Sequence, residues 1–204
     1  MGWTETHKPK GQSLADFFVE HGVMRWSDES CFAYTILDSA LVSACAWYAA
    51  VERVEKATGD RTVWAAVILV RMFWSTGPFG FNICFKDGGE RDCPVEATCP
   101  ERLLDLLTPT VDESSLNWRA RCRAYHERRK ELLKLKTGAK LHFKEPVVFG
   151  DGSCSTRELV IRRLERARFI CTSPDLLGVK AGLSVSRKFL LGRMEQGAVA
   201  FSQP

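Results

Sequence analysis

The feature that most limits the possible folds is an unbroken apolar run, Val63-Trp64-Ala65-Ala66-Val67-Ile68-Leu69-Val70. It is short and rich in β-branched side chains, which fits a buried strand. Immediately before it, Thr58-Gly59-Asp60-Arg61 supplies turn residues, and Trp47 to Val54 lies on the other side of that turn. A hairpin through Gly59 pairs the two segments. Ser39 to Ala57 reads two ways. Its alanines, with Glu52, Glu55 and Lys56, suit a helix, whereas Trp47, Tyr48, Val51 and Val54 suit a strand and tip the balance that way.

Around this centre the chain is punctuated by caps and turns. Ser13 is placed to cap a short helix, with Asp16 three residues later and Gly22 to stop it; Leu14, Phe17, Phe18 and His21 share its apolar face. Phe79 to Phe85 reads as a strand followed by a polar turn, Lys86-Asp87-Gly88-Gly89-Glu90. Thr98-Cys99-Pro100-Glu101 has the form of a capping box, and Leu103, Leu104, Leu106 and Leu107 follow before Thr108-Pro109 ends the helix. A second helix is expected from about Ser114 to Leu135. After Gly138 the period changes to two: Ala139, Leu141, Phe143, Val147 and Phe149 share one face, broken only by Glu145, and Lys140, His142 and Lys144 share the other. Gly150-Asp151-Gly152 reads as a turn. Strand-like segments recur near Glu158–Arg163, Ala167–Thr172 and Leu176–Lys180, which points to a small antiparallel barrel or curled sheet of about 60 residues. The residues from Gly197 onward are expected to fray.

Charge and composition exclude several classes. Lys plus Arg is 29 against 25 Asp plus Glu, a net +4, so the chain is no acidic mimic of DNA. The longest nearly apolar stretch, Ala40 to Val51, is shorter than the roughly 20 residues a membrane-spanning helix needs. Met1-Gly2-Trp3-Thr4-Glu5 lacks a cationic segment followed by an apolar one, so a cytoplasmic location is expected. The eight cysteines then read as reduced thiols rather than a disulfide framework.

Positive charge is concentrated in two places. Between Trp118 and Lys136, Arg119, Arg121, Arg123, Arg128, Arg129, Lys130, Lys134 and Lys136 stand against only Glu127 and Glu131, a local +6. Trp118, Cys122, Tyr125, Leu132 and Leu133 form the apolar stripe of that helix, with Arg129 inside it. A second cluster, Arg157, Arg162, Arg163, Arg166 and Arg168, lies in the expected barrel, offset by Glu158 and Glu165. Arginine forks at these spacings suit phosphate oxygens; the plainer reading is a solvated connector and a wet sheet face.

Recognised catalytic patterns are missing. No phosphate loop, dinucleotide fingerprint or nucleophile elbow occurs. His126-Glu127 opens like a zinc-protease motif, but Lys130 stands where the second histidine is required. Cys84, Cys93 and Cys99 lack the pair spacing of structural zinc, and Asp87, Glu90 and Asp92 read as an exposed acidic turn. No catalytic residue, metal or cofactor is expected.

Met1-Gly2-Trp3-Thr4, Thr6-His7-Lys8-Pro9-Lys10-Gly11, Phe17-Phe18, Leu37-Asp38-Ser39-Ala40-Leu41-Val42 and Tyr48-Ala49-Ala50-Val51-Glu52 resemble an uncharacterised family carried by phages and integrative elements. Thr58-Gly59, Val63-Trp64-Ala65, Cys99-Pro100-Glu101-Arg102-Leu103-Leu104, Leu107-Thr108-Pro109-Thr110 and Trp118-Arg119-Ala120-Arg121-Cys122 extend the likeness over the first three-fifths of the chain. The resemblance brings no activity. It implies an accessory protein of a mobile element, acting on nucleic acid or on host defence as anti-CRISPR proteins do.

The sequence therefore predicts an α+β protein: an N-terminal antiparallel sheet with flanking helices over 1–112, a basic connecting helix over 113–137, a small β-barrel over 138–196 and a frayed tail over 197–204. The expected activity is binding, without enzymatic chemistry, of nucleic acid or a defence nucleoprotein. Arg119, Arg121, Arg123, Arg128, Arg129 and Lys130 would make the first contacts, and Arg162, Arg163 and Arg166 would extend them. Two alternatives stand beside this: a protein–protein inhibitor anchored by Trp3, Trp26, Trp74 or Phe79, and an enzyme that depends on a reactive cysteine.

Overall fold

A computed structural model describes residues 3–20, 31–43, 45–72, 80–150, 154–174 and 182–204. The expectations for His21, Gly22, Trp26, Trp74, Phe79, the Asp151-Gly152 turn and the Leu176–Lys180 strand fall outside them. The protein is mixed α+β, mostly antiparallel strands in two five-stranded sheets, and divides into two compact units, Met1–Arg123 and Ala124–Pro204.

The first unit is built on β1 (Thr4–Pro9), β2 (Phe32–Ser43), β3 (Ala46–Glu55), β4 (Arg61–Met72) and β5 (Gly80–Gly89), ordered β1-β5-β4-β3-β2. The β3–β4 hairpin is the one the turn residues predict, with Val51 opposite Trp64 and Val54 opposite Arg61. Gly59 adopts φ +79°, a conformation that favours glycine, and the Glu55 N–H closes the loop on the Asp60 carbonyl at 2.9 Å. Residues 39–43 and 46–55 are strand, as the aromatic and β-branched residues favour.

The apolar run is unbroken because both faces of this sheet are covered. On one face Trp47, Ala49, Val51, Ala66, Ile68 and Val70 pack with Phe17 and Phe18 of α1 (Leu14–Phe18). On the other, Ala46, Tyr48, Ala50, Ala65 and Val67 meet Leu103 and Leu104 of α2 (Glu101–Leu104), and Trp118 and Cys122 of α3 (Glu113–Lys134). Ser13 caps α1 as expected, its Oγ accepting from the Asp16 N–H at 3.1 Å.

Two expectations for this unit are corrected, and one strand is added. Lys86 to Gly89 is not a turn but the end of β5, paired with Leu69 back to Ala66. Backbone pairing is indifferent to side-chain polarity, so the polar residues did not break the strand. The Thr98 capping box does not form: α2 begins after Pro100 without a side-chain cap, and Thr98 Oγ1 meets the Tyr48 hydroxyl at 2.9 Å instead. Thr4–Pro9, unassigned in the sequence, is a strand paired with β5.

The second unit contains the end of α3, then β6 (Lys140–Phe149), β7 (Cys154–Leu164), β8 (Arg168–Thr172), β9 (Leu183–Ser186), α4 (Arg187–Glu195) and β10 (Val199–Ser202). The sheet order is β10-β6-β7-β8-β9. Leu141, Phe143, Leu159, Ile161, Phe169, Cys171 and Val185 point inward, against Leu132, Leu135 and, from α4, Leu190. Glu145, the one residue that breaks the apolar face of β6, falls inside a register shift between His142 and Val147 and is exposed there.

Of the two forms expected here, the closed barrel does not form among the described residues: β9 and β10 each have a single hydrogen-bonded neighbour, which leaves the curled-sheet alternative. The expected frayed tail is corrected as well: Val199–Ser202 is β10, paired with Phe143 to Lys140. Leu133, placed in the buried stripe of α3 by periodicity, is exposed, and Leu135 is buried instead.

Candidate functional site

The residues expected to form a cationic face serve different ends. Arg119 is buried, donating Nε and Nη2 to the two oxygens of Glu90 at 2.6 and 2.7 Å, and Nη1 to the Thr108 carbonyl at 2.8 Å. It is not at the surface, where the expected phosphate contact would need it. Arg121 reaches the carbonyls of Pro94 and Val95, pinning that loop to α3 beside the Trp118 Nε1 bond to the Glu96 carbonyl. Arg123 and Arg129 are exposed. Half-buried Arg128 lies 3.7 Å from Glu195, and Lys130 bonds Glu127 at 2.9 Å. Arg166 is exposed, Arg163 pairs with Glu165 at 2.7 Å, and Arg162 gives Nε to Thr172 Oγ1 at 2.8 Å.

A different basic surface emerges within the second unit. Phe169 and Cys171 of β8 point inward, so Ile170 and Thr172 point outward; their register partners Arg163 and Val160, with Lys140 opposite Val160, share that outer face. Arg162 occupies the register shift between Ile161 and Arg163, and its bond to Thr172 holds it over the same face. Lys140 and His142 both approach Glu158, at 3.2 and 3.4 Å. Glu165 is shared by Arg168 and Arg163, whose hydrogen bonds and charge hold its carboxyl below the usual range. By sequence this unit has sixteen Lys and Arg against eight Asp and Glu, a net +8, whereas the first unit has thirteen against seventeen, a net −4.

The first unit contains a cleft of about 520 Å³. It opens where β5 leaves the sheet for a 3-10 turn, Glu90–Asp92, that ends at Cys93 with φ +45°. Beyond that point Thr108 takes the place of β5 on β4, donating its N–H to the Val63 carbonyl at 2.9 Å and accepting the Val63 N–H on Oγ1 at 2.8 Å. Trp64, Tyr34 and Arg53 line one wall, and the buried Arg119–Glu90 pair also faces the cleft. A Cβ on Gly89 would lie 2.9 Å from Trp64 Cζ3, so the indole rests directly on that backbone. The sequence reading of Asp87, Glu90 and Asp92 as an exposed acidic turn is therefore corrected: Asp87 is a half-buried strand residue, Glu90 is buried, and Asp92 accepts the Gly89 N–H at 2.7 Å. At the start of α3, Asp112 accepts the Ser115 N–H and hydroxyl, at 2.8 and 2.7 Å. These bonds, with attraction from Arg91, hold its carboxyl below the usual range.

Cys31, Cys45 and Cys93 are exposed, whereas Cys84, Cys99, Cys122 and Cys171 are buried. Burial pushes the Cys122 thiol up to about 12 and that of Cys171 to about 11, and raises Cys99 further. Among the described residues no three His, Cys, Asp or Glu side chains gather as metal ligands would, and no helix is long and apolar enough to cross a membrane.

One family match was found: Domain of unknown function (DUF6927), over residues 109–180. The span takes in α3 and β6 to β8, and overlaps the motifs quoted above only at Pro109-Thr110 and Trp118 to Cys122. No match was found among curated proteins or among solved structures.

Proposed function

We propose that this protein binds nucleic acid through the outer face of its second sheet, as a non-enzymatic accessory protein of a mobile element directed at nucleic acid or a defence nucleoprotein. The observation that carries the reading is the charge of that unit: a net +8, with Lys140, Arg162 and Arg163 together on one open antiparallel face. Such a face tracks a phosphate backbone through charge-assisted bonds and releases counterions as it binds. Arg129, Arg157 and Arg166 are exposed cations of the same unit. Arg119 is buried in the first unit and Arg121 is engaged with the Pro94 and Val95 carbonyls, so neither is counted in the contact.

Titration of single- and double-stranded DNA and RNA at two salt concentrations tests the proposal. Affinity is expected to fall steeply with salt, with a slope of about −0.7 to −0.9 per phosphate neutralised. Replacing Lys140, Arg162 and Arg163 with Gln is expected to flatten it. Absence of binding at low salt, or binding that ignores salt, overturns the proposal and leaves the protein–protein reading, for which exposed Trp3 is the one anchor within the described residues.

A further inference from the structure

We infer that the cleft of the first unit binds an uncharged, flat heteroaromatic ligand with a hydrogen-bonding edge, of the nucleobase or nucleoside class. The inference rests on that unit alone and does not depend on the basic sheet of the second.

Three observations set the chemistry. The first is size: about 520 Å³ lies well inside the roughly 300–1,000 Å³ typical of small-molecule sites. The second is charge. Arg53, Arg91 and Arg119 line the cleft against Asp87, Glu90 and Asp92, three of each sign, and the deepest pair neutralises itself in a bidentate contact. A lining with no net charge gives no overall preference to an anion or a cation. The third is the wall. Trp64 is seated against Gly89, where a Cβ would stand 2.9 Å from its ring, so the indole has a fixed plane without side-chain volume beneath it. A fixed aromatic plane favours a flat partner over a branched aliphatic one.

The edge groups are of both kinds. Asp87 is a half-buried acceptor with no hydrogen-bond or ion-pair partner among the described residues. Arg119, after its bonds to Glu90 and Thr108, keeps one further N–H on each terminal nitrogen. Thr62 and Thr110 add hydroxyls to the lining. A carboxylate acceptor and spare guanidinium donors in the lining of one cleft match the mixed donors and acceptors on a base edge.

The test is a titration of the ¹⁵N-labelled full chain with adenosine, guanosine, cytidine and uridine, with their 5′-monophosphates, and with choline as a purely cationic probe. At least one nucleoside is expected to shift the amides of Gly88, Gly89 and Thr110, with its monophosphate binding no more tightly and choline not binding. Trp64→Leu is expected to weaken that nucleoside about tenfold or more, and Asp87→Asn to change which base is preferred. No shift with any nucleoside, a monophosphate that binds far more tightly, or choline binding in their place each overturns the inference. The titration of the unsubstituted chain decides the matter even if Trp64→Leu does not fold.

Discussion

Arg119 and Glu90 meet through two parallel hydrogen bonds, at 2.6 and 2.7 Å, with both side chains more than nine-tenths buried. The pair joins α3 to the end of β5, and the third bond of Arg119, to the Thr108 carbonyl, ties in the segment that continues the sheet beside β4.

Removing one partner leaves the other as a buried, unpaired charge. Glu90→Ala is expected to cost about 3–5 kcal/mol, and Arg119→Ala a similar amount. Replacing both with apolar residues of similar volume is expected to recover much of the loss. Chemical denaturation of the two single variants and the double variant measures the coupling.

Gly89→Ala places a methyl group in the space now taken by the Trp64 ring. The indole must move, and a loss of about 1–3 kcal/mol is expected. A thermal melt reads the loss, and a change in near-ultraviolet circular dichroism reads the displaced indole.

The cap of α3 gives a pH signature. The Asp112 carboxyl is held below its usual range chiefly by the Ser115 N–H and hydroxyl, so its contribution to stability is present above the unfolded pKa and is lost as the pH falls through the lower folded value. Asp112→Ala is expected to lower the melting temperature at pH 7. The gap to the unsubstituted protein narrows as the pH drops below about 4. Asp112→Asn, which keeps an acceptor, is expected to lose less. Melts across that range settle the order.

Thiol accessibility should divide the cysteines. Cys31, Cys45 and Cys93 are expected to react with a thiol reagent in the native protein, whereas Cys99, Cys122 and Cys171 wait for unfolding, because burial both shields them and disfavours the thiolate. Mass spectrometry of labelled peptides with and without denaturant distinguishes the two sets. Native labelling of Cys99 or Cys122 would show the first-unit core to be open.

The parts of the fold visible in the sequence are those where one local signal dominates. The β3–β4 hairpin follows from Gly59 between two apolar segments, and β6 from strict alternation after Gly138. What escaped depends on distant partners. Lys86 to Gly89 reads as a turn until β4 is known to lie beside it, and Val199–Ser202 reads as a tail until β6 does. The cationic cluster was visible as composition only. Ser115, Trp118, Arg119 and Cys122 fall at i, i+3, i+4 and i+7, and all four are buried. Periodicity thus carried a hint that Arg119 faces inward, but its partner Glu90 lies 29 residues away with no local cue.

Thr108 also bears on how this protein behaves among its neighbours. By occupying both backbone groups of Val63 where β5 ends, it leaves no vacant rung there for a strand from another molecule. Sheet growth by intruding chains is therefore blocked at that margin, and a proline at position 108, which retains the carbonyl but removes both donor and hydroxyl, would reopen it to self-association.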